Sequence, residues 1–345
     1  KTAFVCNECG ADFPKWQGQC PACGAWNTLQ EFVVDPAMPK SRSAERSGFS
    51  GQLSEVRQLN EIALEDSPRI SAGMDELDRV LGGGLVPGSA ILLGGHPGAG
   101  KSTLLLQVLC RLADREKCFY ITGEESLAQV AMRADRLKLP KEKLRLAAET
   151  DVEQILELAR KEQPRLLVVD SIQVMYLAGL QSAPGSVAQV REGAAALTRF
   201  AKQTGTILFL VGHVTKDGSL AGPKVLEHMI DCSILLEGSS DSRFRTLRGI
   251  KNRFGAVNEL GVFAMLEQGL KEVKNPSAIF LNRGEDAAPG SVVTVVWEGT
   301  RPLLVELQAL VDASHFGNPR RVCVGLEANR LAMLLAVQHR QQHGI

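Results

Sequence analysis

Residues 90–109 read AILLGGHPGAGKSTLLLQVL, which is an apolar strand pattern, a glycine-rich loop and an apolar helix pattern in immediate succession. Within this stretch Gly95, Gly100, Lys101 and Ser102 fit the phosphate-loop pattern G-x4-G-K-[ST]. Backbone N–H groups of such a loop wrap a phosphate chain, and the helix that follows turns the positive end of its dipole toward the same charge. The stretch therefore predicts a nucleotide site on an α/β fold.

The residues of this loop have expected roles toward ATP. Lys101 should reach the β- and γ-phosphates, and the Ser102 hydroxyl should bind Mg²⁺. The expected nucleotide-binding residues of the loop are Gly95, His96, Pro97, Gly98, Ala99, Gly100, Lys101, Ser102 and Thr103. The helix is predicted from apolar residues at helical spacing, which are Leu104, Leu105, Val108, Leu109 and Leu112.

A second apolar strand pattern ends in a carboxylate. Residues 150–171, TDVEQILELARKEQPRLLVVDS, predict a helix that starts with a capping box of Thr150 and Glu153, followed by a strand that ends in Asp170. A carboxylate at the end of a strand neighbouring the phosphate-loop strand holds Mg²⁺ through water, and we assign Asp170 this role. The alternative is a surface aspartate that merely follows a strand.

A hydrolytic site also needs a group that orients the attacking water. Residues 117–126, KCFYITGEES, predict a strand that ends in Glu124 and Glu125. A carboxylate at this tip would face the γ-phosphate and act as the base. The spacing does not choose between the two residues, and we prefer Glu124. Either residue could instead lie at a helix N-terminus and face its dipole.

Residues 205–223, GTILFLVGHVTKDGSLAGP, predict a strand that ends in His213 and a glycine-rich loop over 215–223. A polar residue at this strand tip can sense the γ-phosphate and signal its presence to the loop. His213 could equally be a structural histidine. The loop, with Lys216, is a candidate polynucleotide contact.

Composition and charge bound the class of protein. The 345 residues can form two or three cores, and 39 Lys+Arg balance 39 Asp+Glu, so any contact with nucleic acid must come from local patches. No apolar run approaches the roughly 20 residues of a membrane span, and the first residues have no signal-peptide core. We therefore expect a cytoplasmic protein with no membrane partner.

Four cysteines crowd near the start of the chain in a C-x2-C-x10-C-x2-C pattern: Cys6, Cys9, Cys20 and Cys23. Two such pairs complete a closed tetrahedral Zn²⁺ site, which stabilises a module of this size and performs no chemistry. Two disulfides or a redox pair are the alternatives. Because Lys15 is the one basic residue between Cys6 and Cys23, we expect this module to bind protein rather than DNA. The remaining cysteines, Cys110, Cys118, Cys232 and Cys323, are predicted to be buried thiols.

These features together resemble the RadA (Sms) family of bacterial DNA repair proteins. The resemblance rests on the cysteine pattern and on LDRVLGGGLVPGSAILLGGHPGAGKST, YITGEES, LLVVDS, VGHVTKDGSLAGPKVLEHMID and KNRFG, and it runs from about Cys6 past Gly317. His96 and Ala99 depart from the residues usual in the family, although neither position supplies a required ligand. The resemblance implies a RecA-like ATPase that forms a hexameric ring on DNA and processes branched recombination intermediates with the RecA recombinase.

The family resemblance also gives a role to the basic stretch RFRTLRGIKNRFG at 243–255. It implies that Lys251 and Arg253 reach the γ-phosphate bound by a neighbouring subunit, as an arginine finger does. The alternative is a solvated basic edge strand. Arg243, Arg245 and Arg248 are expected to face outward from a strand, where they would contact DNA or protect an edge.

The expected fold is α/β, with a RecA-like P-loop core, a small zinc-binding module and a partial Lon-protease-like α+β domain. The predicted boundaries are 1–30 for the zinc finger, 31–65 for a linker, 66–273 for the ATPase domain and 274–345 for the Lon-like segment. The last segment is too short for that whole domain, so the chain is expected to be truncated. It has a β-rich part, a helix, and candidate DNA contacts at Arg320, Arg321 and Arg330.

The expected function is that of a DNA-dependent ATPase that acts as a ring-shaped motor on single-stranded and branched DNA and promotes branch migration. Two other classes remain open. A RecA-like regulatory ATPase or kinase would share the nucleotide motifs but leave the zinc finger unexplained. An ATP-dependent peptidase would account for the C-terminal resemblance, although no peptidase nucleophile is recognisable.

Overall fold

The computed structural model describes residues 2–6, 12–21, 24–33, 69–213, 226–238, 242–281, 290–311, 313, 322–325, 327–333 and 335. Several predicted features lie outside these residues: Cys9, Cys23, the 215–223 loop with Lys216, Arg320 and Arg321. The chain divides into two compact units, residues 1–279 with 295–303, and residues 280–294 with 304–345.

The N-terminal module is a small antiparallel sheet. Its described strands are β1 (Thr2–Cys6), β2 (Asp12–Phe13) and β3 (Leu29–Val33), in the order β2–β1–β3. Cys6, Cys20 and Leu29 form a buried cluster with Phe4 and Phe13 packed against it. Strand β3 continues three residues into the segment predicted to be linker. So small an apolar cluster agrees with the expectation that a metal stabilises the module.

Among the described residues, nine strands form one large sheet. In chain order they are β4 (Ala90–Gly95), β5 (Cys118–Thr122), β6 (Arg145–Ala148), β7 (Leu166–Asp170), β8 (Ile207–His213), β9 (Cys232–Glu237), β10 (Phe244–Asn252), β11 (Leu260–Leu266) and β12 (Gly269–Glu272). Their order in space is β12–β11–β10–β9–β4–β8–β7–β5–β6. In this spatial order, the strands β9, β4, β8, β7, β5 and β6 are parallel to one another. Strands β10, β11 and β12 are antiparallel to their neighbours.

Helices cover both faces of this sheet. They are α1 (Asp75–Val80), α2 (Lys101–Leu112), α3 (Leu127–Arg136), α4 (Val152–Glu162) and α5 (Val187–Thr204), and a short α6 (Ser277–Phe280) follows β12. One core packs α1, α2 and α3 against the sheet, and a second core packs α4 and α5 against the other face. Strands that are covered on both faces have continuous apolar sequences. The predicted α/β class is confirmed.

The start of α4 differs from the prediction. Asp151, rather than Thr150, is the N-cap, and its side chain accepts a hydrogen bond from the backbone N–H of Glu153. Thr150 instead donates its own N–H to Glu149. Aspartate is a stronger capping residue than threonine, and the helix consequently begins one residue later than a Thr150 capping box requires.

Three of the four scattered cysteines are buried as predicted. Burial raises the pKa of the Cys118 and Cys232 thiols to about 12 and that of Cys110 to about 11, so these thiols are poorly reactive. Cys323 is only half-buried, so for this residue the prediction is wrong. It lies outside the apolar cores of the large sheet, in the C-terminal segment.

The C-terminal segment is β-rich, as predicted. Strands β13 (Ser291–Glu298) and β14 (Arg301–Gln308) pair with each other, and residues 328–333 are helical, with Arg330 exposed. Residues 295–303 of this ribbon belong to the same compact unit as the large sheet. In the described part of the chain, we found no helix with the length and apolarity of a membrane span.

Candidate functional site

The phosphate loop is the turn between β4 and α2. β4 ends at Gly95 and α2 begins at Lys101, with Gly100 as its N-cap. Gly100 has φ 106°, and a Cβ there would lie 2.6 Å from Cε of Met265. At Gly95 a Cβ would lie 2.5 Å from the carbonyl oxygen of Leu236. Both positions therefore require glycine, for which no side chain competes with the close approach of the backbone.

Lys101 is buried at the first position of α2. Its Nζ donates to the carbonyl oxygens of Gly95 at 2.7 Å and of His96 at 3.0 Å. Burial lowers the pKa of Lys101, and the carboxylates of Asp170 and Glu124 partly offset this effect. A phosphate chain beside this ammonium would favour its charged form, so the environment of Lys101 fits an anionic ligand.

Asp170 ends β7, but β7 does not neighbour β4. The prediction that these two strands are adjacent is wrong, because β8 is hydrogen-bonded between them. Asp170 is nevertheless buried, and its Oδ2 accepts a hydrogen bond from the hydroxyl of Tyr120 on β5. Burial raises the pKa of Tyr120, and the nearby charge of Asp170 raises it further, so the hydroxyl remains a donor.

His213 connects the phosphate loop to the acidic strand tip. Its Nδ1 lies 3.3 Å from Nζ of Lys101, and its Nε2 lies 3.3 Å from Oε1 of Glu124. A neutral imidazole that accepts at Nδ1 and donates from Nε2 satisfies both contacts. The same Glu124 oxygen accepts a hydrogen bond from the hydroxyl of Ser171, which follows Asp170. The carboxyl ends of β4, β5, β7 and β8 thus bring their polar residues into one group.

Glu125 is not part of this group. Its carboxylate forms an ion pair with Arg133 of α3, and its backbone N–H donates to Oγ1 of Thr122. The structure therefore brings Glu124, but not Glu125, to His213. The assignment of Glu124 as the base remains a prediction, and these contacts support it.

The donor set of this group fits Mg²⁺ and a nucleotide. Mg²⁺ prefers oxygen ligands, and the group offers the carboxylate of Asp170 and, in the first turn of α2, the half-buried hydroxyl of Ser102. The phosphate chain would be held by the loop N–H groups, by Lys101 and by the N-terminus of α2. Thr103 is half-buried beside Ser102.

Arg253 lies at the opposite end of the sheet from the phosphate loop, and Lys251 pairs with Ser233, which lies opposite Leu92 of β4. Arg253 pairs with the carboxylate of Asp231 at 3.2 Å, and Asp231 is tied to Ala90 by two hydrogen bonds of 2.9 and 3.0 Å. Ala90 is the first residue of β4, whereas the loop follows the last residue, Gly95. At about 3.3 Å per residue, the two ends of β4 are separated by roughly 16 Å.

Asp231 is the centre of a network of cations. It is 2% exposed, and it accepts hydrogen bonds from Nζ of Lys202 at 2.9 Å as well as from Arg253. Lys251 donates to the carbonyl oxygens of Glu227 and Ile230. Partial burial lowers the pKa of Lys251, and the Arg253 cation lowers it further, whereas Asp231 and Glu227 raise it.

The predicted outward face is wrong for Arg245, whereas Arg243 is exposed, as predicted, and Arg248 is half-buried. β10 is not an edge strand, because it pairs with both β9 and β11. Arg245 is 6% exposed and its Nε donates to the carbonyl oxygen of Ala99 in the phosphate loop at 3.2 Å. Arg248 is paired with Glu298 at 2.6 Å. Arg243 stacks on the ring of Phe244, with 5.0 Å from its Cζ to the ring centroid.

Sequence reasoning missed three residues that hold these groups in place: Tyr120, Ser171 and Asp231. A tyrosine within an apolar strand needs a partner for its hydroxyl, which is a signal for Tyr120. Ser171 directly follows the predicted Mg²⁺ carboxylate. Asp231 directly precedes an apolar strand, and an aspartate buried at such a position needs cations.

Two of the four predicted zinc ligands are described. Cys6 and Cys20 are both buried and lie in one cluster, and Sγ of Cys6 is 3.2 Å from Oγ1 of Thr28. The backbone N–H of Gly24 donates to the carbonyl oxygen of Cys20 at 2.8 Å, which closes a tight turn at the second cysteine pair. Thiolates gathered in this way fit Zn²⁺. Ligation by the four cysteines remains a prediction.

Cys6→Ser is expected to release zinc and to unfold the N-terminal module, because a structural zinc site supplies the folding free energy of so small a domain. Nucleotide binding should be largely retained, since Cys6 packs in the buried cluster of the N-terminal module and not in the two cores that flank the large sheet. Zinc content and ATP affinity are the measurements, and Cys323→Ser is the control that keeps its zinc. Loss of ATP binding together with the zinc would show that the two modules form one cooperative unit.

Comparison with known proteins agrees with this arrangement. The AAA domain family model matches residues 58–219, and the rubredoxin metal binding domain model matches residues 4–31. The chain is 67% identical over 346 residues to DNA repair protein RadA of Salmonella typhimurium, covering 100% of this chain and 75% of that relative. The identity and the coverage are the same for DNA repair protein RadA of Escherichia coli.

A more distant relative matches over nearly the same length. DNA repair protein RadA of Bacillus subtilis is 48% identical over 341 residues, which cover 98% of this chain and 74% of that relative. The resemblance inferred from the motifs is therefore confirmed. The chain has an AAA-type ATPase domain and a zinc ribbon, and it belongs to the RadA family of DNA repair proteins.

Proposed function

We propose that the chain is a DNA-dependent ATPase that assembles into a ring-shaped homo-hexamer, moves on single-stranded and branched DNA, and promotes branch migration of recombination intermediates. Membership of the RadA family and the AAA-type ATPase domain support the repair role and the ATPase. The ring rests on the placement of the Lys251–Arg253 pair. Partnership with the RecA recombinase rests on the family resemblance alone.

The geometry of the site supports roles for Lys101, Asp170, Ser102 and Glu124 in the hydrolysis of ATP. Lys101 would neutralise the β- and γ-phosphates, and Asp170 and Ser102 would hold Mg²⁺, which offsets the charge that develops on the transferred group. Glu124 would accept a proton from the water that attacks the γ-phosphorus. The bond from this phosphorus to the β–γ bridging oxygen then breaks, which leaves ADP and inorganic phosphate.

His213 is placed to report on the γ-phosphate. It lies between Lys101, which should bind that phosphate, and Glu124, which should orient the water. When Lys101 turns to the phosphate, Nδ1 of His213 loses its hydrogen-bond donor, and the ring can then donate to the phosphate once Nδ1 carries a proton. His213 also directly precedes residues 214–225, so a change at its side chain is well placed to reach that segment.

One observation carries the proposal of a ring: the expected finger residues cannot serve their own nucleotide. Arg253 is anchored through Asp231 at the amino-terminal end of β4, roughly 16 Å from the phosphate loop of the same chain, and Nζ of Lys251 is held by the carbonyl oxygens of Glu227 and Ile230. A cation needed at the γ-phosphate must then come from a neighbouring chain. A head-to-tail interface repeats the same rotation from one chain to the next. The chains form a ring when these repeated rotations add up to a full turn.

The network around Asp231 fits a cation that changes partners. The side chain of Arg253 is 49% exposed, whereas that of Lys202 is 20% exposed and bonds to both oxygens of Asp231. Arg253 can therefore leave Asp231 for a phosphate without stranding a buried, unpaired carboxylate, which would be costly. We infer that Asp231 binds Arg253 until Arg253 moves to a phosphate, and that Lys202 then neutralises Asp231.

ATPase activity with and without single-stranded DNA, and with casein, tests the function. We expect stimulation by DNA and none by casein. Stimulation by casein with release of peptides would favour an ATP-dependent peptidase. Indifference to both would favour a regulatory ATPase or kinase.

Glu124→Gln is expected to bind ATP and to hydrolyse it about 10²- to 10⁴-fold more slowly, because the amide cannot accept a proton from the attacking water. Glu125→Gln is the matched control, since it changes the adjacent residue and removes only the pair with Arg133. Its turnover should stay close to that of the unmodified protein. If Glu125→Gln is the slower variant, the assignment of the base is reversed. Single-turnover hydrolysis and nucleotide affinity are the measurements.

A further inference from the structure

Arg245 is the most deeply buried cation of the basic stretch, and it contacts the phosphate loop. It is 6% exposed, and its Nε donates to the carbonyl oxygen of Ala99 at 3.2 Å. Its Nη1 donates to the carbonyl oxygens of Phe244, at 2.9 Å, and of Ser242. The guanidinium therefore joins the backbone at the start of β10 to the middle of the loop.

The space for this side chain is provided by a glycine. A Cβ on Gly238, just after β9, would lie 2.4 Å from Cδ of Arg245 and 3.0 Å from its Nε. Arg245 thus passes through a gap that any larger residue at position 238 would close. A buried cation that lies in such a gap and bonds to loop carbonyls is held to one conformation.

The bond to Ala99 fixes the direction of one peptide group. The carbonyl of Ala99 and the N–H of Gly100 belong to the same trans peptide unit, so they point to opposite sides of the chain. When Arg245 holds the carbonyl on the β10 side, the N–H of Gly100 is directed to the other side, away from Arg245. A phosphate cradle consists of N–H groups that are held in fixed directions.

The other end of β10 carries the residues expected to serve a neighbouring nucleotide. Lys251 lies on this strand and Arg253 follows it directly. The register with β9 shifts between Gly249 and Lys251, which is a β-bulge that can re-aim a side chain. The same strand therefore contacts the chain's own phosphate loop at one end and carries the finger residues at the other.

We propose that Arg245 is a positioning residue of the phosphate loop and that β10 links this loop to the Lys251–Arg253 pair. The first half concerns ATP binding within one chain. The second half rests on the function proposed above, because it needs Arg253 to act on a neighbour. Binding of ATP at the chain's own loop would then alter, through Arg245 and β10, the placement of the cation offered to the next subunit.

Arg245→Lys tests the first half, because it keeps the positive charge but removes the planar guanidinium. Loss of a charge-assisted hydrogen bond should weaken ATP affinity about tenfold or more. The turnover at saturating ATP should fall less than the affinity, since Glu124 and Asp170 are unchanged. Arg248→Lys is the matched control on the same strand, since Arg248 pairs with Glu298 and should show unchanged affinity.

The melting temperature without nucleotide separates positioning from a purely structural role. A tenfold loss of affinity with an unchanged melting temperature supports the proposal, and affinity within twofold of the unmodified protein overturns it. If Arg245→Lys does not fold, Gly238→Ala tests the same point by crowding the guanidinium from outside. Normal ATP affinity in a folded Gly238→Ala protein would likewise overturn it.

Hydrogen exchange tests the second half. A non-hydrolysable ATP analogue at saturation should slow amide exchange over 246–253 in the unmodified protein and in Arg248→Lys, but much less in Arg245→Lys. Equal slowing in all three proteins would refute the link through β10. ATP affinity is a property of one chain's own phosphate loop. The outcome of the affinity test therefore does not depend on whether Arg253 acts on a neighbouring chain.

Discussion

Lys101→Ala is expected to abolish ATP hydrolysis, with turnover at least about 10²- to 10³-fold below that of the unmodified protein. Lys101 is the cation within the loop motif itself, bonded to Gly95 and His96 and in contact with His213. Without it the charge on the β- and γ-phosphates has no counter-ion from the loop. Turnover within tenfold of the unmodified protein would contradict the assignment of the phosphate loop.

The fold of this variant should survive. Lys101 is a buried cation whose pKa is lowered chiefly by burial, so its removal also relieves a desolvation cost. We expect a similar melting temperature without nucleotide and loss of the stabilisation that ATP gives. Lys143→Ala is a matched control, because Lys143 is exposed and pairs with Asp114 away from the loop.

Arg253→Ala is expected to bind ATP almost normally and to hydrolyse it about 10³- to 10⁵-fold more slowly, which is the range for loss of an arginine finger. Binding should persist because the chain's own loop lies at the other end of β4. Folding should persist because Lys202 still neutralises Asp231. Equilibrium binding and single-turnover hydrolysis separate these two effects, and a large loss of ATP affinity would argue against a finger.

Lys202→Ala offers a complementary test of the same network. It leaves Arg253 as the partner of Asp231, so Arg253 should be held more tightly and released less readily. Hydrolysis should slow although the finger residue itself is intact. Unchanged hydrolysis would show that Asp231 does not govern the availability of Arg253.

The core and the phosphate loop could be predicted from sequence because their signals are local. Gly95 and Gly100 are glycines because the backbone angles and close contacts at these positions leave no room for a side chain. Apolar runs such as 166–169 predict strands covered on both faces, and the structure has such a strand there. A carboxylate that follows such a run, like Asp170, is equally visible.

The remaining features depend on contacts between distant parts of the chain. No local signal places β8 between β4 and β7, although this order is what brings His213 to Lys101 and Glu124. The choice between Glu124 and Glu125 depends on Arg133, which takes one carboxylate away. From sequence alone, Arg245 is expected to lie on the surface. The pairing of β11 with β10 makes this expectation wrong. Secondary-structure propensity and residue spacing do not specify such pairings, because the pairings depend on tertiary structure.

In the proposed mechanism two chains complete one catalytic site, and mixing the two inactive variants tests this. Lys101→Ala and Arg253→Ala should each be inactive alone. In mixed rings, an Arg253→Ala chain supplies an intact phosphate loop and its Lys101→Ala neighbour supplies an intact Arg253. With random mixing of equal amounts, about a quarter of head-to-tail interfaces combine the two intact parts.

We expect such mixtures to recover part of the ATPase activity, and the recovery to grow with protein concentration as rings assemble. The lone variants at the same total concentration are the controls, and native mass measurement should verify that the rings contain both chains. Recovery that is independent of concentration would contradict assembly into rings. Absence of recovery in rings shown to be mixed would contradict the action of Arg253 on a neighbouring nucleotide.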